Sequence, residues 1–235
     1  MSAANARDRK LVIAAESLGG AEAALSFCRT ILEWGPAKPR GLIIEPDGTP
    51  FWTSRDQRLV STSGAVLAVP SPDRLRRIAR GDANLLGARL ASLAAALDTD
   101  WACEVSRGEL VSAACAAVAG NDILLLGQRR MLRRSGKVLL LEAEHGPSEA
   151  SRSLAEALAR ATSTSVVAMR KESQAEKDDI VSRVDRSYAC AVVVDLESGP
   201  FKSADDLRRL FAAARCPVAV LGGSRLSRSK VDTGS

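Results

Sequence analysis

Short apolar runs alternate with amphipathic stretches along the whole chain. Leu11-Val12-Ile13-Ala14-Ala15 is continuous rather than alternating, the pattern of a strand covered on both faces. Ala21, Ala24, Leu25, Cys28, Ile31 and Leu32 then recur at helical spacing, and Gly35-Pro36 ends that helix. Residues 41–44 predict a second strand, closed by the turn Pro46-Asp47-Gly48. Residues 58–60 and 65–69 predict a hairpin around 61–64. Ser71-Pro72 opens a helical pattern that runs to Leu97, with Leu86, Leu90, Leu93 and Leu97 on one face and Gly81 as a break between two helices. A strand over 101–105 follows. Next come a helix through Leu110, Val111, Ala114, Cys115 and Val118, and a strand over 122–126 that ends at Gly127.

The second half repeats the alternation. Strands are expected over 138–141, 165–169, 191–194 and 218–221. Helices are expected from about 147, with Ala150, Leu154, Ala157, Leu158 and Ala161 inward, and over 176–187 and 203–215. Ser203 with Asp206 has the spacing of a capping box. Strands alternating with helices predict a parallel sheet with right-handed crossovers. The polar stretches 1–9 and 223–235 read as tails.

The chain also resembles itself. Lys10-Leu11-Val12-Ile13 recurs as Lys137-Val138-Leu139-Leu140, each followed by an acidic residue (Glu16; Glu142 or Glu144), a glycine loop (Gly19-Gly20; Gly146) and an alanine-rich helix. Glu109-Leu110-Val111-Ser112 recurs as Asp179-Ile180-Val181-Ser182. The two offsets differ, so the second copy lacks a piece equivalent to roughly 45–100. This predicts two unequal tandem halves, 10–135 and 136–222; a single doubly wound sheet without duplication is the alternative.

These residues bring a family into view. The strand, acidic residue, small loop and alanine-rich helix that open each copy resemble the universal stress protein family. So do Glu109-Leu110-Val111-Ser112 leading to Asn121-Asp122-Ile123-Leu124-Leu125-Leu126-Gly127, and the closing Arg215-Cys216-Pro217-Val218-Ala219-Val220-Leu221. The resemblance covers 10–46 and 100–222. It implies two flavodoxin-like, adenine-nucleotide-hydrolase-like parallel-sheet halves in tandem, each of about five strands, packed about a pseudo-two-fold axis. Many members bind ATP through a glycine motif after the fourth strand, where backbone N–H groups and a helix N-terminus meet phosphate. This chain departs from that motif. The first copy reads Gly127-Gln128-Arg129-Arg130, and the second reads Asp195-Leu196-Glu197-Ser198, whose carboxylates repel a triphosphate.

Composition narrows the chemistry. Aromatic residues are 3% of the chain, which speaks against nucleic-acid modules that stack bases on aromatic platforms. One histidine rules out a His-rich metal site, and no P-loop or Ser-His-Asp signature is present. The net charge of +5 suits an anionic ligand or partner without demanding one. Five scattered cysteines read as reduced core thiols of a cytoplasmic protein. The N-terminus lacks the apolar core of a signal peptide, and every apolar run is too short to span a membrane. Arg74, Arg76, Arg77 and Arg80 read as a solvated helix face, His145 as a surface loop residue, and Phe51-Trp52 as a pin for a long loop.

Ligands of open α/β sheets bind at the carboxyl ends of strands. In the first half that edge gathers Ala15, Glu16, Glu45, Gly127, Gln128, Arg129 and Arg130 as the nucleotide or anion site. In the second half it gathers Glu142, Glu144, Asp195 and Glu197, an acidic rim. Three readings of function stay open. The leading one is a non-enzymatic stress-response or regulatory protein, acting through an unidentified protein partner or as a homodimer. The second is an ATP- or AMP-binding protein using the first half, and the third is an enzyme with its site between the halves. If the first half holds an anion, replacing both Arg129 and Arg130 by Ala is expected to weaken inorganic-phosphate or ATP binding more than about tenfold, because each charge-assisted contact is worth roughly 1.5–3 kcal/mol. Equal affinities by titration calorimetry would refute the site.

Overall fold

The continuous apolar runs form strands, the inner ones sealed between two layers of helices, and the amphipathic stretches form helices with their apolar stripes turned inward. The computed structural model describes residues 9–45, 59–60, 66–67, 71–128, 136–143, 145–170 and 177–223. The first half contains β1 (Lys10–Ala15), α1 (Leu18–Trp34), β2 (Lys38–Glu45), β3 (Leu59–Val60), β4 (Val66–Leu67), α2 (Pro72–Leu97), β5 (Ala102–Arg107), α3 (Leu110–Ala116) and β6 (Ile123–Leu126). The second contains β7 (Lys137–Glu142), α4 (Glu149–Ala161), β8 (Val166–Arg170), α5 (Lys177–Arg186), β9 (Ala189–Asp195), α6 (Ala204–Ala214) and β10 (Val218–Leu221). The hairpin is present as β3–β4, with Leu59 opposite Leu67. The expected tails apart from Arg9 and Gly223, which belong to the fold, lie outside the described residues, as do the Phe51-Trp52 pair, Arg129, Arg130 and Glu144.

Eight strands form one sheet in the order β5-β2-β1-β6-β10-β9-β7-β8. Within β5-β2-β1-β6 every pair is parallel, and so is every pair within β10-β9-β7-β8. The halves meet at β6 and β10, which are antiparallel, with Val218 opposite Leu126 and Val220 opposite Leu124. Each half thus supplies four strands to the sheet rather than the expected five. The second half runs from β8 through α5 into β9, without a counterpart of the hairpin, α2 and β5.

The two faces bury alternate residues of the same strands. Leu11 and Ile13 join Ala24, Ile31, Leu86, Leu90, Leu154 and Leu158 under α1, α2 and α4. Val12 and Ala14 join Val111, Ala114, Ile180, Val184, Leu207 and Leu210 under α3, α5 and α6. Helices also bridge the seam between halves. On one face α1 packs on α4, where Trp34 Nε1 donates to Ser153 Oγ at 3.0 Å. On the other α3 packs on α6, where Arg208 Nε meets Glu109 Oε2 at 2.8 Å and Arg208 Nη2 donates to Ser112 Oγ at 2.7 Å.

Helix α2 corrects one expectation: it is continuous through Gly81. Ala79 and Ala83 are buried on either side of the glycine, and Leu86 and Leu90 are fully buried beyond it. Each buried leucine contributes about 1.5–3 kcal/mol, which outweighs the roughly 1 kcal/mol cost of a helical glycine. None of the five cysteines forms a disulfide; Cys28, Cys115, Cys190 and Cys216 are buried and Cys103 is half-buried. Burial pushes the Cys28 thiol up, and that of Cys115 up to about 11, so both remain protonated.

One close approach sets the position of α1. Gly127 N donates to Ala14 O at 2.7 Å. A Cβ on Gly127 would stand 2.5 Å from Gly20 O, and one on Gly20 would stand 2.9 Å from Gly127 O. The first turn of α1 therefore rests directly on the end of β6. Gly127→Ala is expected to destabilise the protein by about 1–3 kcal/mol, the usual cost of overpacking. An unchanged midpoint in urea denaturation would contradict this packing.

Candidate functional site

Three of the residues expected at the first half's carboxyl edge converge. Ala15 is the fully buried last residue of β1, Glu16 follows it at the surface, and Gly127 ends the neighbouring β6. Gln128 is half-buried, with its Oε1 shut away from solvent and without a hydrogen-bond partner. Glu45 ends β2, next to β1, and is committed elsewhere: its carboxylate lies 3.5 Å from Arg76 Nε and 3.4 Å from Arg107 Nε. Of the arginines predicted as a solvated helix face, Arg76 is thus paired, to Glu45 and to Asp73, while Arg74, Arg77 and Arg80 are exposed.

The start of α1 is already provided with acceptors. Ser17, not Glu16, is its N-cap, and the Ser17 hydroxyl accepts from Gly20 N at 3.3 Å. Leu18 N donates to Asp82 Oδ2 at 2.8 Å, so a carboxylate from α2 sits where the helix N-terminus would draw an anion. No local sequence signal could reveal this contact, because Asp82 lies 64 positions away.

A second carboxylate caps α3. Glu109 accepts from Val111 N at 2.8 Å and Ser112 N at 2.9 Å while holding Arg208. Partial burial pushes its carboxyl up, but Arg208 and those N–H groups outweigh burial and hold it below the usual carboxylate range. Glu16 goes the other way. The residue is exposed as a whole, yet desolvation and then the charge of Glu109 raise its carboxyl above the ordinary value.

The second half repeats the device. Asp195 is buried at the end of β9 and accepts from Glu197 N at 2.8 Å, Ser198 N at 3.4 Å and Ser198 Oγ at 2.7 Å. Burial pushes its carboxyl up, but hydrogen bonds from the Ser148 and Ser198 hydroxyls and from the turn's N–H groups hold it below its ordinary value. Gly199 is required here, since a Cβ would stand 2.1 Å from Asp195 O. Glu142 is buried beside Arg170 Nη2 at 3.5 Å, and His145 is exposed in the turn between β7 and α4. The predicted capping at Ser203 is half realised. Ser203 Oγ accepts from Asp206 N at 3.1 Å, whereas Asp206 reaches back to Lys202 N at 3.2 Å.

Asp195 makes acid stability a test of this arrangement. Its pKa is lower folded than unfolded, so its contribution is complete above about pH 4 and is lost as pH falls further. Asp195→Asn is expected to be less stable than the parent at pH 7 and to lose less on acidification. Parallel acid limbs for the two proteins, in urea midpoints against pH, would contradict it.

Among the described residues no helix is long and apolar enough to cross a membrane, and no three or more metal-ligating side chains cluster. No protein-family model matches the chain, and no curated protein does. Among solved structures, the crystal structure of the cytoplasmic domain of a prokaryotic cation chloride cotransporter matches over 93% of this chain and 96% of its own. The identity is 10% and the TM-score 0.40, a likeness too distant to carry function from that protein to this one.

Proposed function

We propose that this chain is a universal-stress-protein-like, cytoplasmic regulatory protein that acts through contacts with other proteins and catalyses nothing. In this reading each half keeps the edge at which universal stress proteins hold phosphate but fills it with a carboxylate of its own. The observation that carries the reading is the 2.8 Å bond from Leu18 N to Asp82 Oδ2. A triphosphate arriving at α1 would have to displace a charge of its own sign. Asp195 supports the same reading in the second half, where the turn's N–H groups are already accepted by its side chain.

A second reading draws on Gln128. Its unpartnered Oε1 lies on the same edge as Ala15, Glu16 and Gly127, and Glu45, Arg129 and Arg130 would complete an ATP or AMP site there.

One experiment separates the two readings. Purified protein is denatured and its supernatant chromatographed for adenine nucleotides, and ATP is titrated into the folded protein and into Asp82→Ala. The first reading predicts only traces of nucleotide, weak or absent ATP binding by the parent, and tighter binding once Asp82 is gone. Stoichiometric ATP or AMP in the supernatant overturns it in favour of the second.

A further inference from the structure

The second half leaves one edge of the sheet bare. β8 lies beside β7 as β2 lies beside β1. The far edge of β2 is taken by β5, which pairs with it from Arg40 to Glu45. The second half has no counterpart of β5, so β8 ends the sheet. Val138 N donates to Ser165 O at 3.1 Å, so the backbone groups of Ser165, Val167 and Met169 turn toward β7. Those of Val166, Ala168 and Arg170 turn outward, and among the described residues nothing donates to them or accepts from them.

The sequence of β8 does nothing to guard that edge. Edge strands are ordinarily blunted by charges, proline or bulges. β8 reads Val166-Val167-Ala168-Met169-Arg170, without proline, in unbroken register with β7, and with its one charge at the end. That charge is engaged, since Arg170 Nη2 lies 3.5 Å from Glu142 Oε2. Ala168, in the middle, is exposed. The free edge at the other end of the sheet differs: β5 carries exposed Glu104 in its middle and exposed Arg107 at its end.

We infer that β8 is a homodimer edge, paired antiparallel with β8 of a second copy about a two-fold axis through Ala168, so that two sheets become one. Unpaired ladder groups call for a strand, and the first half shows one in the equivalent place. Pairing β8 with β5 of the next copy would meet Glu104 and repeat without end, whereas β8 with β8 closes at two. The outward groups set the register. With the axis at Ala168, that residue exchanges both its bonds with Ala168 of the partner subunit, and Val166 exchanges both with Arg170 of the partner subunit. All three residues are then satisfied. An axis at Val167 would instead set Arg170 against Thr164 of the partner subunit, and the Thr164 N–H already donates to Ala159 O at 2.9 Å. In the favoured register Val167 lies opposite Met169 of the partner subunit, as a non-hydrogen-bonded pair whose side chains come closest. Arg170 faces a valine rather than its own copy, so no like charges meet and its ion pair with Glu142 stays within the chain.

Sedimentation equilibrium and amide hydrogen exchange of the full chain, over a wide concentration range, test this. The parent is expected to reach twice the monomer mass, with protection of the Val166, Ala168 and Arg170 amides rising as the dimer forms. Ala168→Lys sets two like charges opposite each other across the axis. Ala168→Pro removes an N–H that the monomer does not use, at an edge position where proline is tolerated. Both variants are expected to keep the circular dichroism of the parent and to raise the dimer Kd at least about tenfold. A monomer at every concentration, a dimer that neither variant weakens, or concentration-dependent protection confined to residues outside β8 overturns the proposal.

Discussion

The β6–β10 pairing is the constraint on which the rest of the molecule depends. Two parallel sheets with open edges would each expose unpaired backbone groups, which is a poor end state for a strand as apolar as Ile123–Leu126. Joining them antiparallel turns two small sheets into one of eight strands, with both seam strands wholly buried. The reversal also fixes the helices. Because the strands of the two halves run oppositely, α1 and α4 begin at opposite ends of the sheet. They meet across the seam as antiparallel neighbours, an arrangement in which their dipoles attract. Trp34 with Ser153 on one face and Glu109 with Arg208 on the other then clasp the halves from both sides.

A second theme is the use of the protein's own carboxylates at positive chain features. Asp82 at the start of α1, Glu109 at the start of α3 and Asp195 in the turn after β9 each accept from backbone N–H groups that have no partner in regular structure. Asp195 alone of the three is buried, and its burial is compensated by these bonds rather than by solvent. Glu16 lacks such donors and lies near Glu109, so its carboxyl moves in the opposite direction. Neighbouring carboxyl groups on one edge thus differ in acidity because of which N–H groups and arginines they reach.

The strands were legible in the sequence because burial on both faces writes itself as a continuous apolar run, as in Leu11–Ala15 and Ile123–Leu126. Helix starts marked by a local hydroxyl were legible too, as at Ser71 and Ser203. Gly81 misled, since intrinsic propensity is a weak guide where leucines further along the helix are buried against a sheet. The antiparallel seam was not legible: apolar runs declare strands but not which strand lies beside which. The site was legible in outline only. Strand ends place Ala15, Glu16 and Gly127 together through topology, but Asp82 and Arg208 reach it across 64 and 99 positions, and no local pattern encodes such contacts.

The seam also orders events during synthesis. Leu126 is paired with Val218, so β6 keeps one naked edge while almost all of the second half is being made. Contacts so far apart in sequence are slow to close and leave aggregation-prone edges open meanwhile. One short strand, Val218 to Leu221, completes the sheet for both halves at once. On a ribosome, the first half would therefore emerge with its central edge unguarded, a window in which a chaperone or a neighbouring nascent chain competes for the place that β10 will take.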